Sequence, residues 1–216
     1  MIYALQIVFT LSIIVPALLA LIRYKHIHPV YLPFLILIWV AFFNETISVT
    51  LVSLHFYNII NNSIYYLLES ILILWQFNRW NLFRQHKKFF NALVVIFLIL
   101  WFINCIFISH FKAFPSYFSI VYSFVIVLMS VNMLNSLLIR ENQQLFRNPV
   151  FLICIGFIIF FTYNTLVEIF WLYGLASSKS FRLYIFNILS YINLLSNLIY
   201  ALAILWMPRK QEFTLP

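Results

Sequence analysis

The chain has 216 residues, 65% hydrophobic and 8% charged, with a formal charge of +8 and a mean hydropathy of +1.01. Soluble domains run near half apolar and a quarter charged, so this composition excludes a water-soluble fold: no packing of a chain this short could hide so much apolar surface. The excess positive charge does not point to nucleic acid, because the basic residues fall in short stretches between apolar runs, where membrane orientation accounts for them.

Seven apolar runs approach the roughly 20 residues that a spanning helix needs. They cover residues 2–22, 29–54, 59–80, 90–108, 117–139, 149–173 and 183–206. The expected fold is all-α: a polytopic membrane protein with seven transmembrane helices, in which residues 1–216 form one domain and the lipid bilayer is the first partner. No stretch rich in Ser, Gly or Pro suggests a linker, and glycine occurs only at Gly156 and Gly174. The ten residues after Trp206 are too few for a signalling or catalytic domain.

The first run has no basic residue before it and Arg23 and Lys25 directly after it, which marks a retained helix with an outward N-terminus rather than a cleaved leader. The later loops agree. Arg79, Arg84, Lys87 and Lys88 follow the third run, Arg140 and Arg147 the fifth, and Arg209 and Lys210 the seventh. The opposite side holds only Lys112, Lys179 and Arg182. Under the positive-inside rule the N-terminus lies outside and the C-terminus in the cytoplasm, as expected of a protein of the bacterial inner membrane. Tyr57, Trp80, Tyr117 and Tyr173, near run ends, read as interfacial anchors, and Pro16 as a kink in the first helix.

The polar residues inside the runs follow helical spacing. The second run offers Asn44, Glu45 and Ser48. The third carries Asn62, Tyr65, Glu69, Gln76 and Arg79 on one stripe, the sixth Asn164, Thr165 and Glu168 with Trp171 closing the face, and the seventh Asn187, Ser190, Asn193 and Asn197. Lipid cannot satisfy such groups, so the four stripes should converge inside the bundle. Three of the five acidic residues, Glu45, Glu69 and Glu168, belong to these stripes. Each lies near the midplane or in the outer half of its run, so the shared cavity should open outward, with Asn132 and Asn135 of the fifth run continuing the polar path inward.

The expected ligand-binding set is therefore Glu45, Glu69, Glu168, Asn44, Asn164, Tyr65, Gln76, Asn193 and Asn197. A carboxylate in hydrocarbon costs several kcal/mol unless it is protonated, paired or wetted. No Lys, Arg or His lies at a matching depth. Neutral carboxyls bonded to Asn, Tyr or Ser, acting as inter-helix glue worth about 1 kcal/mol, are the purely structural alternative. Cys105 and Cys154 sit inside apolar runs and read as inert thiols, so neither a disulfide nor a zinc site is indicated. No catalytic residue, metal ligand or cofactor is implied.

Pro29-Val30-Tyr31-Leu32 aligns without a gap with Pro149-Val150-Phe151-Leu152, and an asparagine follows each proline at the same spacing, Asn44 and Asn164. Leu21-Ile22-Arg23 and Leu138-Ile139-Arg140 precede them, while Ile73-Leu74-Trp75 and Ile204-Leu205-Trp206 follow. These matches suggest a parallel 3+1+3 repeat with the fourth helix as connector. That layout is similar to the SWEET-type and PQ-loop transporters and to rhodopsin-like bundles. Their signatures are missing: no Pro-Gln dipeptide occurs, and no lysine for retinal lies between Leu183 and Trp206. Ile64-Tyr65-Tyr66-Leu67-Leu68-Glu69 with Trp75-Gln76-Phe77 resembles small, uncharacterised bacterial seven-helix membrane proteins, over the second and third helices only, and this likeness carries no established activity.

Four functions compete. A receptor-like sensor, taking a small-molecule ligand or cation from outside and relaying to a cytoplasmic signalling protein, ranks first. A small-solute or proton-coupled transporter with midplane carboxylates follows, then a structural subunit of a membrane complex. A metal-free lipid enzyme ranks last, since no run contains a histidine at membrane depth.

Overall fold

The computed structural model describes residue 9 and residues 11–84, 87–140, 145–173 and 179–208. Gly174, Arg209, Lys210 and most of the first predicted span's opening residues lie outside that set. Among the described residues the fold is all-helical, with seven α-helices. These are α1 (Ile14–Arg23), α2 (Leu32–Ser53), α3 (Ile59–Arg79), α4 (Lys87–Phe102), α5 (Ser116–Arg140), α6 (Pro149–Leu172) and α7 (Lys179–Trp206). A 3-10 turn, Pro29–Tyr31, leads into α2, and α4 runs on as a π-helical segment, Ile103–Ile108.

Among the described residues, five helical stretches are long and apolar enough to cross a membrane: Pro29–Ser53, Lys87–Ile108, Ser116–Ile139, Pro149–Leu172 and Leu183–Trp206. The α1 helix is described over ten residues. The α3 helix falls short for a different reason. Asn61, Asn62, Glu69, Ser70 and Gln76 lower its hydropathy, and its neighbours shield it: α3 packs against α2, α4 and α5. The most extensive pairings are α5 with α6, α6 with α7 and α2 with α3, and α7 also packs against α1. The outside of the bundle is apolar. Val95, Ile96 and Ile99 of α4, and Leu195, Leu198 and Leu202 of α7, are exposed, a surface suited to lipid and not to water.

Helix ends buried in such a bundle must find internal partners. Before α2, His28 Nδ1 accepts from the Val30 N–H at 3.3 Å; before α6, Asn148 Oδ1 accepts from the Val150 N–H at 2.9 Å. Pro29 and Pro149 thus both open helical segments behind a capping side chain. Gln76 supplies more: its Oε1 accepts from the Phe34 N–H at 2.8 Å and its Nε2 donates to the Val30 carbonyl at 3.0 Å. Asn104 of the π segment caps α5 across the bundle, accepting from the Phe118 N–H at 2.8 Å. With glycine almost absent, His55 (φ 62°) and Asn81 (φ 61°) take the left-handed positions that end α2 and α3. The Arg23 guanidinium binds the carbonyls of Ile204, Leu205 and Met207 at the C-terminus of α7, where a cation also meets the negative end of the helix dipole.

Beneath the polar residues lies an aromatic layer. Phe34 packs edge-on to Phe157 (6.2 Å between centroids) and to Tyr200 (5.4 Å), and Phe77 packs on Phe157 (6.1 Å) and edge-on to Trp80 (5.5 Å). Ile73, Leu74 and Phe77 are fully buried in this layer. Trp80, expected as an interfacial anchor, is instead buried here, because its ring fills the space between Phe77 and Tyr31. Tyr57, Tyr117 and Tyr173 are exposed at helix ends.

Candidate ligand cavity

A cavity of about 460 Å³ occupies the bundle between α2, α3, α5, α6 and α7. It begins at Ser48, Val49 and Asn58, where α2 turns into α3, and descends to Leu37, Phe157 and Tyr200. The α4 helix contributes nothing to the lining. The cavity thus occupies the end of the bundle away from Arg23 and Arg147, whose guanidinium stacks 5.1 Å from the Trp206 ring.

Spacing explains how each wall is made. On α2, Leu37, Ala41, Asn44, Glu45 and Ser48 recur at helical intervals of three and four and all line the cavity. On α3 the same register brings in Asn62, Tyr65, Tyr66 and Glu69, on α6 Phe157, Phe160, Phe161 and Asn164, and on α7 Phe186, Ser190, Asn193, Asn197 and Tyr200. Small polar side chains in between use up their own hydrogen-bonding capacity locally. Thr165 donates to the Phe161 carbonyl and Ser190 to the Phe186 carbonyl, at 2.8 and 2.9 Å.

Glu69 is the centre of the polar network. Tyr65 donates to its Oε1 and Tyr122 of α5 to its Oε2, each at 2.7 Å. A carboxylate has about four acceptor positions, so two bonds leave capacity for a ligand. Glu45 lines the cavity within electrostatic range of Glu69, and among the described residues no hydrogen bond reaches its carboxyl. At the rim, Asn61 Nδ2 lies 2.8 Å from Asn44 Oδ1, 3.2 Å from Ser48 Oγ and 3.0 Å from Asn58 Oδ1. Asn197 donates to Ser12 Oγ at 2.8 Å, tying α7 to the start of α1, and lies 3.5 Å from Asn193 Oδ1. Asn164 donates to Ser119 Oγ at 3.2 Å and is within 3.5 Å of Ser123 Oγ.

Of the nine residues expected at the site, Glu45, Glu69, Asn44, Asn164, Tyr65, Asn193 and Asn197 line the cavity. Glu168 and Gln76 do not. Glu168 is buried against the hydroxyls of Ser116 and Ser119 at the start of α5, above the cavity wall, and Gln76 is consumed by the backbone of the segment leading into α2. Tyr66 lies within electrostatic range of all three carboxyl groups. Trp171, expected to close the α6 face, is exposed and packs edge-on to Phe186. Asn132 and Asn135 also depart from expectation: both are exposed on the outside of α5, so they do not extend the cavity.

Tyr66, Tyr122 and Tyr200 also line the cavity, outside the expected set. Their signal was position: each is a tyrosine well inside a run, away from the ends where interfacial tyrosines gather. Among the described residues, no three His, Cys, Asp or Glu side chains are close enough to share a metal ion. Comparison of the chain with known protein families, curated proteins and solved structures returns no match.

Proposed function

We propose that this protein is a receptor-like membrane sensor whose seven helices span the bilayer with the N-terminus outside and the C-terminus in the cytoplasm of a bacterial inner membrane. A small ligand enters the cavity from the outside, and the bundle relays its arrival to a cytoplasmic signalling protein docked on the basic end. The observation that carries this reading is the shape of the polar region. Its hydrogen-bonding groups come from five helices, yet the cavity ends on the buried layer of Phe34, Phe77 and Phe157. A sensor needs only a site with one mouth; a transporter also needs a second state that opens the site inward, and Asn132 and Asn135, exposed on the outside of α5, provide no polar path for it.

A transporter is the second reading. Two carboxyl groups sharing one membrane cavity could carry protons or a cation, and the capped prolines that open α2 and α6 support a parallel repeat of the kind some transporters use. Against it, transporters rely on broken or glycine-softened helices, whereas α2, α3 and α6 run uninterrupted.

Reconstituted vesicles separate the two. Glu69→Gln keeps the size and hydrogen-bonding reach of the side chain and removes its titratable proton. For a sensor, neither wild type nor variant conducts protons or solute, and the substitution changes ligand affinity or downstream output. Acid-driven uptake by the wild type that disappears in Glu69→Gln would establish the transporter instead.

A further inference from the structure

Among the described residues, the cavity lining holds two carboxyl groups, Glu45 and Glu69, and no Lys, Arg or His. Inside a membrane bundle such an imbalance is costly unless something positive or proton-bearing faces it. Tyrosine hydroxyls meet part of the demand at Glu69; among the described residues nothing meets it at Glu45. The remaining walls are aromatic. Tyr65, Tyr66 and Tyr122 flank Glu69, with the Tyr66 and Tyr122 rings 6.0 Å apart, while Phe160 and Phe161 face them from α6.

We propose that the cavity is a binding site for an organic ammonium ion, its charged head held between Glu45 and Glu69 and its apolar substituents against the Tyr66, Tyr122 and Phe161 rings. This inference rests on the ligand-sensing reading above and names the ligand class. An ammonium group carrying carbon substituents is weakly hydrated and is drawn to the faces of aromatic rings as well as to carboxylates. A bare metal ion fits poorly: it needs a tight cage of oxygens, and about 460 Å³ lined by phenyl rings is no such cage. A volume of that size matches small organic molecules, whose pockets run from roughly 300 to 1,000 Å³. An anion would face two like charges, and a wholly apolar ligand would leave the Glu45 carboxyl without a partner.

The test is binding of benzyltrimethylammonium to the purified full-length protein in lipid nanodiscs, by calorimetry, beside its uncharged isostere neopentylbenzene and the anion benzylsulfonate. The cation is expected to bind, and the isostere and the anion at least about tenfold more weakly, the loss of one good charge contact. Glu45→Gln and Glu69→Gln should each weaken the cation by about tenfold or more, with Glu168→Gln unchanged because Glu168 lies outside the cavity. The three-ligand comparison on wild type decides the matter even if a variant fails to fold. Equal binding of cation and isostere, binding of the anion alone, or no binding by any of them overturns the ammonium assignment. Binding of the uncharged probe in the cavity would still leave a ligand site, whereas uptake of the cation into wild-type vesicles would overturn the sensor reading and leave the ligand class standing.

Discussion

Replacing Gln76 by leucine is expected to destabilise the protein far more than Glu45→Gln in the cavity. Gln76 is completely buried, and its two bonds satisfy the Phe34 N–H and the Val30 carbonyl in the segment that opens α2. Leucine matches the volume but leaves both backbone groups orphaned where no water reaches. At about 1–3 kcal/mol for each buried unsatisfied group, the loss comes to roughly 2–6 kcal/mol, a large share of a typical folding free energy. Thermal unfolding of the purified protein in detergent, read by circular dichroism, should show a large drop in midpoint. Glu45→Gln, which breaks no hydrogen bond, should unfold close to wild type. A Gln76→Leu midpoint indistinguishable from wild type would mean that the amide does not hold the start of α2.

The second large effect is expected from Gly156→Ala. A methyl group on Gly156 would run into the edge of the Tyr200 ring. On its other sides that ring is wedged against Phe34 and Phe157, with centroids 5.4 and 5.8 Å away. Overpacking of this kind costs about 1–3 kcal/mol. The open direction for the ring is the cavity it already lines, so the substitution should also shrink the binding space and weaken ligand affinity by about tenfold or more. Trimming the obstacle should repair the packing: Tyr200→Leu combined with Gly156→Ala should be less destabilised than the sum of the two single changes. Strict additivity in that double-mutant cycle would place the clash elsewhere.

How much of this was legible in the sequence depended on which physical signal each residue carried. Composition and run length identify an all-helical membrane protein, since both follow directly from apolar content. The α3 helix shows the limit of that logic. Its polar stripe lowers its hydropathy, and only the packing of α2, α4 and α5 around it makes such a helix tenable. Helical periodicity brought Asn44, Glu45, Tyr65, Glu69, Asn164, Asn193 and Asn197 to one cavity because all of them share the inward faces of their helices. Gln76 lies on the same stripe as Glu69 but two turns further on, where the cavity has given way to the aromatic layer; spacing sets the face and not the depth. Glu168 shares a face with Asn164, yet the start of α5 covers it, a relation between distant segments that no local pattern encodes. The polarity of Asn132 and Asn135 suggests inward positions, but α5 turns them outward because Tyr122, Ile126 and Met129 claim its buried face.

A blind cavity that opens on the outer side of the membrane fixes which thiols a reagent can reach from each side. Cys105 and Cys154 are buried, so the native thiols provide a silent background. A membrane-impermeant maleimide applied to intact cells should label Asn58→Cys at the rim and Asn193→Cys within the cavity. Leu74→Cys, in the aromatic layer, should stay unlabelled both in cells and in inverted vesicles. Labelling of Asn193→Cys only in inverted vesicles, or equally from both sides, would contradict the account.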